Sequence, residues 1–485
     1  MSLFLGIDIG TSGVKSVLVD VDDRVMAEAR APLNVQRPRP LWSEQQPDAW
    51  WQAVVQTLDD LATQDGAAMA AVEAIGLSGQ MLGVALLDED GRPLRPALLW
   101  NDGRAGAECE ELRDLIPDFA RITGSQPMPG FSAPKLRWLS KHEPDTLAAA
   151  RWVLLPKDYV RLQLTGDIVT DLADGSATLL VDARRGTYHA PIIDHCGLDA
   201  SRLPPIIASD GVGGRLRSSL ASRWGLKPNI PVVGGAGDNM AGAVGAGIAA
   251  TGQAFISLGT SGVYFVANHD FLPALDRGMH THRHAIDGLF AQHGVVLSAT
   301  AALSWIAEVT GGEDVGALVS SVEANPLSPD ETPVFTPYLA GERTPHNDPT
   351  LTASFAGMTF ATTRRHLVQS VMEGVALALG GCHEALLSSG VSIEQVALVG
   401  GGSRSRYWSQ LIASVIDRPM TAPLSAVVGP ALGAARLARK AMGGDLIADK
   451  GREVAYTTAP CPRLADALGR KKSAYSSLRM TLQTL

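Results

Sequence analysis

The chain has 485 residues, of which 46% are hydrophobic and 19% charged, with a formal net charge of −9. That length exceeds one ordinary core and predicts two or three domains, and the composition excludes a disordered chain. The acidic balance excludes a general attraction to nucleic acid or anionic membrane, and Arg470-Lys471-Lys472 reads as a solvated helix face.

The chain opens Met-Ser-Leu-Phe-Leu-Gly-Ile-Asp, with no basic leader and no cleavage pattern. No stretch approaches the ~20 apolar residues of a membrane span. Cysteines stand at 109, 196, 382 and 461, far apart and without CxxC spacing. A reducing, cytoplasmic setting is expected.

Leu3 to Ile9 is an apolar run that predicts a buried strand. A Gly-Thr-Ser-Gly turn follows, then a strand over Val14 to Val21, a turn at Asp22-Asp23 and a third strand over Val25 to Ala31. Pro47 to Ala62 predicts a helix, with Trp50, Val54, Leu58 and Leu61 on one face. Val72 to Leu77 is the next strand. The theme returns about 250 residues later, as a strand over Gln253 to Leu258, a Gly-Thr-Ser-Gly turn and a strand over Val263 to Ala267. A repeat on that scale predicts duplicated domains. A long helix over His366 to Leu387, a strand over Val396 to Val399 and helices from about Arg404 and from Gly429-Pro430 complete the second half. The boundary is placed in the Gly/Ala-rich stretch Gly242 to Gly252, which fits a hinge and a tightly packed helix equally. The domains expected are 1–243 and 244–485.

Four motifs carry chemistry. The first is Gly6-Ile7-Asp8-Ile9-Gly10-Thr11-Ser12-Gly13-Val14-Lys15, matched by Gly259-Thr260-Ser261-Gly262-Val263. Glycines let successive N–H groups converge, hydroxyls add donors and Lys15 adds charge, all suited to phosphate oxygens. Asp8 ends a buried strand and suits Mg²⁺ held through water. Neither a Walker A loop nor a dinucleotide fingerprint is present, which disfavours P-loop ATPases and dehydrogenases. The second is Gly400-Gly401-Gly402 between strand and helix, a fit for adenosine. The third is Gly237-Asp238-Asn239. Asp238 is either a proton acceptor in phosphoryl transfer or the cap of the next helix. With an ordinary carboxyl pKa of about 3.9 it would be a weak base. The fourth pairs Gln80-Met81-Leu82 with Trp100-Asn101-Asp102, polar groups around an aromatic floor that suits a sugar. A core Trp beside a surface turn is the alternative. His280, His282 and His284 alternate, but with polar flanks and no second ligand group a metal role is set aside.

These motifs resemble the FGGY carbohydrate kinases of the sugar kinase/actin/heat-shock ATPase superfamily, closest to the bacterial xylulokinase branch. The resemblance also rests on Leu41-Trp42-Ser43-Glu44-Gln45, Phe131-Ser132-Ala133-Pro134-Lys135-Leu136-Arg137-Trp138, Leu155-Pro156-Lys157-Asp158-Tyr159 and Gly341-Glu342-Arg343-Thr344-Pro345-His346-Asn347. It implies an α/β fold of two duplicated actin-like (ribonuclease H-like) domains with an interdomain cleft. ATP and Mg²⁺ are the implied cofactors, Asp238 the catalytic base, and Asp8 part of the magnesium–phosphate site. Met81, Trp100, Asp102, Asp238 and Asn239 would line the sugar site, and D-xylulose would be phosphorylated at C5. The implied partner is a small sugar, not nucleic acid or membrane, with a homodimer left open. One position departs from the pattern, since Leu82 stands where this branch carries His. A lost polar partner alters discrimination. A different ketopentose or polyol is therefore a second reading, and an actin-like binding module without kinase activity a third.

Overall fold

A computed structural model of the chain describes residues 2–312, 314–424 and 429–483. It contains two large mixed sheets of seven strands each. In the first, Leu3–Ile9 pairs antiparallel with Gly13–Asp20, which pairs with Val25–Pro32, while Val72–Gly79 lies parallel on the other side of Leu3–Ile9. In the second, Gln253–Leu258 pairs antiparallel with Gly262–Asn268, which pairs with Phe290–Val296, while Gln395–Val399 lies parallel to Gln253–Leu258. The order of these four strands is the same in both, so the duplication inferred from the turns extends to the centre of each sheet.

The central strands are apolar on both faces because helices cover both. Helix Pro47–Gln64 carries proline in its first turn and buries Trp50, Val54, Leu58 and Leu61 on the first sheet. Helix Arg364–Ser388 buries Val371, Val375 and Leu379 in the second half's core.

The start of the Gly/Ala-rich stretch, Gly242 to Gly245, is helical and closely packed. Asp238–Gly245 is a helix lying on helix Pro430–Ala441. A Cβ on Gly433 would collide with the Ala241 carbonyl, and one on Gly245 with the Gly429 carbonyl. Helix Pro430–Ala441 comes late in the chain, yet it covers the first sheet. Its Ala431 and Ala434 carbonyls come so close to Gly6 and Gly76 that no side chain fits there. A cut at 243 therefore separates this helix from the sheet it covers. One hydrophobic cluster joins Phe4, Val17 and Ala74 of the first sheet to Phe255, Phe265 and Ala397 of the second, with Met240, Val244, Leu432 and Ala435 among them.

The basic tail is a correction. Lys471, on helix Pro462–Leu482, is only 8% exposed. Its Nζ lies 2.5 Å from Glu373 Oε2 and donates to the Pro329 carbonyl at 3.1 Å. Arg470 and Lys472 do make exposed pairs, with Asp330 and Glu384. The longest helices bury polar partners of their own, and no helix among the described residues is long and apolar enough to cross a membrane.

Candidate active site

The two acidic residues singled out from the sequence meet at one end of the first sheet. Asp8 is the register partner of Ser78 on one side and Lys15 on the other. Ser78 Oγ donates to Asp8 Oδ1 at 3.0 Å. Burial pushes the Asp8 carboxyl up to about 6, against the lowering pull of Ser78 and Lys15. The short strand Ala236–Gly237 pairs parallel with Ser78–Gly79, which sets Asp238 beside it. Helix Asp238–Gly245 starts at Asp238, but Gly237 is its cap residue and no side chain caps it. The capping alternative therefore fails. Among the described residues, Asp238 Oδ1 accepts from the neighbouring Asn239 N–H alone, at 2.7 Å. Burial, then the Asp8 charge, push the Asp238 carboxyl up to about 7. It is a far stronger base near neutral pH than an ordinary aspartate.

The loop beyond Gly79 carries Met81 and Leu82. Met81 packs over Gly237, and its Sδ accepts from Asn239 Nδ2 at 3.7 Å. Leu82 has a φ of +68°, a left-handed conformation that costs a branched residue about 1–3 kcal/mol. Its carbonyl is pinned by Ser132 Oγ at 3.0 Å and Lys135 Nζ at 2.7 Å. Lys135 is fully buried and also donates to the Leu99 carbonyl at 2.9 Å. Burial lowers its pKa to about 7. This one ammonium therefore ties the Leu82 loop to the strand end that carries Trp100. Trp100 is not a core residue, being 49% exposed, and its indole Nε1 donates to Thr11 Oγ1 at 2.9 Å.

Two predicted sugar contacts turn out to be supports. Gln80 is 1% exposed, and its amide accepts from Thr11 Oγ1 at 3.0 Å and donates to Gln45 Oε1 at 2.8 Å. Asp102 is buried with four donors on its two oxygens. Oδ1 accepts from Arg104 N and Nε, and Oδ2 from Ser43 N and Arg104 Nη2. A carboxylate has about four acceptor positions, so none is left for a sugar hydroxyl.

The loops differ in how they are held. In the first, Gly10 N–H donates to the Gly13 carbonyl at 3.0 Å, and Ser12 is exposed. Lys15 lies 3.3 Å from Glu28 on the adjoining strand. In the second, Gly259 and Thr260 carbonyls accept from Thr300 N and Ala299 N, at 3.0 and 2.9 Å, where helix Thr300–Val309 begins. Thr260 is exposed and Ser261 half-buried. Gly400 has a φ of +88°, and both it and Gly402 press against Leu258. Gly401 faces open space, the place for a flat ring to approach the backbone.

A buried charged group lies behind the site. Lys157 Nζ lies 2.7 Å from both Asp158 Oδ1 and Asp171 Oδ1, and 3.5 Å from Asp174 Oδ2. Neither Asp174 oxygen has a hydrogen-bond partner among the described residues, and Oδ1 reaches toward Gly237. Burial pushes the Asp174 carboxyl well up, Lys157 opposes this, and Asp171, Asp158 and Asp238 add to the rise. The signal was present in Leu155-Pro156-Lys157-Asp158-Tyr159, but the further acidic partners, Asp171 and Asp174, stand well beyond that motif in the chain. The histidines at 280, 282 and 284 are buried rather than set among polar flanks, and His280 and His282 pack around Phe131 and His293. No group of three metal-binding side chains occurs among the described residues.

Residues 3–245 match the N-terminal domain, and residues 254–442 the C-terminal domain, of the FGGY family of carbohydrate kinases. The chain belongs to the FGGY family of carbohydrate kinases. It is 41% identical over 438 residues to a xylulose kinase of Escherichia coli strain K12, covering 90% of each chain. It is 34% identical to a xylulose kinase of Bacillus subtilis strain 168, covering 90% of this chain and 88% of that one. A crystal structure described as a xyloylose kinase from Brucella ovis superposes with a TM-score of 0.95 at 40% identity, over 99% of both chains. FGGY kinases transfer phosphate from ATP to a sugar hydroxyl, and this chain is a phosphotransferase of that kind.

Proposed function

We propose that this FGGY kinase phosphorylates D-xylulose at its terminal (C5) hydroxyl, giving D-xylulose 5-phosphate. The observation that carries the substrate is the likeness to the Escherichia coli xylulose kinase along 90% of both chains. The site geometry supports it. Trp100 supplies a half-exposed aromatic face, Met81 an apolar wall, and Asn239 and Asp238 the polar groups of a small sugar site. Asp238 accepts the proton of the attacking hydroxyl. The exposed residues of the Gly10–Gly13 and Gly259–Gly262 turns, Ser12 and Thr260, would meet the phosphates, and Gly401 leaves room for adenosine.

A divalent ion fits the donor set. Asp8 and Asp238 are buried carboxyls, burial raising both and the Asp8 charge adding to the rise at Asp238, with Lys15 the cation acting on Asp8. Magnesium takes one or two carboxylates plus phosphate and water rather than an all-protein cage, which agrees with the lack of a three-ligand group among the described residues. Bound Mg²⁺ would neutralise charge on the transferred phosphoryl group. The segments 1–243 and 244–485 are the proposed jaws, with helix Pro430–Ala441 travelling with the first. Free, mostly buried cysteines support a cytoplasmic setting.

A panel of pentuloses, polyols and sugar acids assayed for ADP release tests this directly. D-xylulose is expected to give the highest kcat/KM, and Asp238→Asn to lower kcat by roughly 10²–10⁴-fold. A better substrate would overturn the sugar assignment, and near-normal turnover in Asp238→Asn would overturn the base. The second reading, a different ketopentose or polyol, rests on Leu82, which can neither donate nor accept where the branch carries His.

A further inference from the structure

Behind the first phosphate turn lies a hydrogen-bond chain whose direction is forced from one end. Trp50, fully buried, donates its indole N–H to Gln45 Oε1 at 2.9 Å. An indole N–H can only donate, so this atom of Gln45 must be the oxygen. Gln45 Nε2 then donates to the Thr11 carbonyl at 2.7 Å. Gln80 must turn its Nε2 toward Gln45 Oε1, at 2.8 Å, and its oxygen toward Thr11. Thr11 therefore donates its only hydroxyl hydrogen to Gln80, at 3.0 Å, and accepts from the Trp100 indole at 2.9 Å. Two consequences follow for the site. The Thr11 hydroxyl, expected from the sequence to be a phosphate donor, has no hydrogen left for phosphate. Gln45 and Gln80, each 1% exposed, close a ring on the side chain and the carbonyl of Thr11.

We infer that the Trp50–Gln45–Gln80–Thr11 chain is a positioning device that locks Trp100 to the first phosphate turn, so that sugar on Trp100 tightens ATP binding. This inference rests on the sugar and ATP placements proposed above. Trp100 is the one exposed end of the chain. A sugar stacked on its face restricts the indole, and the indole holds Thr11 Oγ1. Ordering that the sugar has already imposed need not be imposed again by the nucleotide, which yields positive coupling between the two ligands.

The test measures the dissociation constant of a non-hydrolysable ATP analogue by calorimetry, with and without saturating D-xylulose. The wild type, Trp50→Phe and Trp100→Phe are compared, and melting temperatures are recorded. The sugar is expected to tighten wild-type nucleotide binding by roughly five-fold or more, and both variants to bring that ratio close to one. Trp50 touches neither ligand, so a purely structural role would lower its melting temperature and leave the ratio intact. A ratio of one in the wild type, or a wild-type ratio in either variant, overturns the inference. Trp100 is on the surface, so its variant stays informative even where loss of Trp50 weakens the fold. Failure of the wild type to phosphorylate any sugar would instead overturn the proposed function.

Discussion

At Asp238 a carboxyl that looks ordinary in the sequence is held near neutrality by burial and by Asp8. The base works only when ionised, so kcat/KM is expected to fall about tenfold per pH unit below about 7, which a pH–rate profile checks. Stability runs the other way. Between the ordinary value of 3.8 and about 7 the folded state keeps this proton and the unfolded state loses it, so Asp238 destabilises the ligand-free fold progressively as pH rises. Asp238→Asn is therefore expected to melt higher than wild type at pH ~8 and alike at pH ~4, a difference read by thermal scans. Leu82 is a second residue whose conformation matters as much as its chemistry. Leu82→Gly relieves the positive φ but gives up the packing of Leu82 against two hydrophobic clusters, so stability in urea titration is expected to change by less than about 1 kcal/mol while sugar affinity falls. His tolerates the left-handed region better than Leu, so Leu82→His is expected to fold well and to lower the KM for D-xylulose. An unchanged KM would show that the branch's His has no role in this pocket.

Among the elements, helix Pro430–Ala441 is held by charge as well as by close glycine contacts. Arg436 and Arg439 both reach Asp23, in the turn after the second strand, with Arg439 Nη1 at 2.8 Å and Arg436 Nη2 at 3.1 Å. All three side chains are nearly fully buried. Removing the carboxylate leaves two buried cations, so Asp23→Ala is expected to cost about 3–5 kcal/mol in chemical denaturation. From the sequence, Asp22-Asp23 was legible as a turn and Gly429-Pro430 as a helix start. Their ion pairs could not be found there, because the partners are more than 400 residues apart. Lys471 shows the same limit. A basic run looks solvated until a neighbouring element supplies a buried glutamate.

For the whole molecule, the two halves share a core in which helices Asp238–Gly245 and Pro430–Ala441 lie against both sheets. Closure of the proposed jaws is expected to turn about that shared core. Closure excludes water from the γ-phosphate. Small-angle scattering is expected to show a smaller radius of gyration with sugar and an ATP analogue together than with either alone, and an unchanged radius would rule out closure on this pivot.

The chain's local patterns determined a good deal without help. Apolar runs bounded by Gly-Thr-Ser-Gly turns gave the strands and their duplication, because strand period and turn chemistry are local properties. The motifs located Asp8, Asp238 and Met81, since strand ends and loops are where reactive side chains must stand. Only the tertiary structure decided which polar groups face a substrate. Gln80 and Asp102 look available in the sequence, yet folding commits every acceptor of Asp102 and both ends of Gln80's amide to protein partners. It also decided that burial and Asp8 raise the Asp238 carboxyl to about 7, and that Asp174 stands behind it. Desolvation and charge proximity are sums over neighbours, and a sequence does not say who the neighbours are.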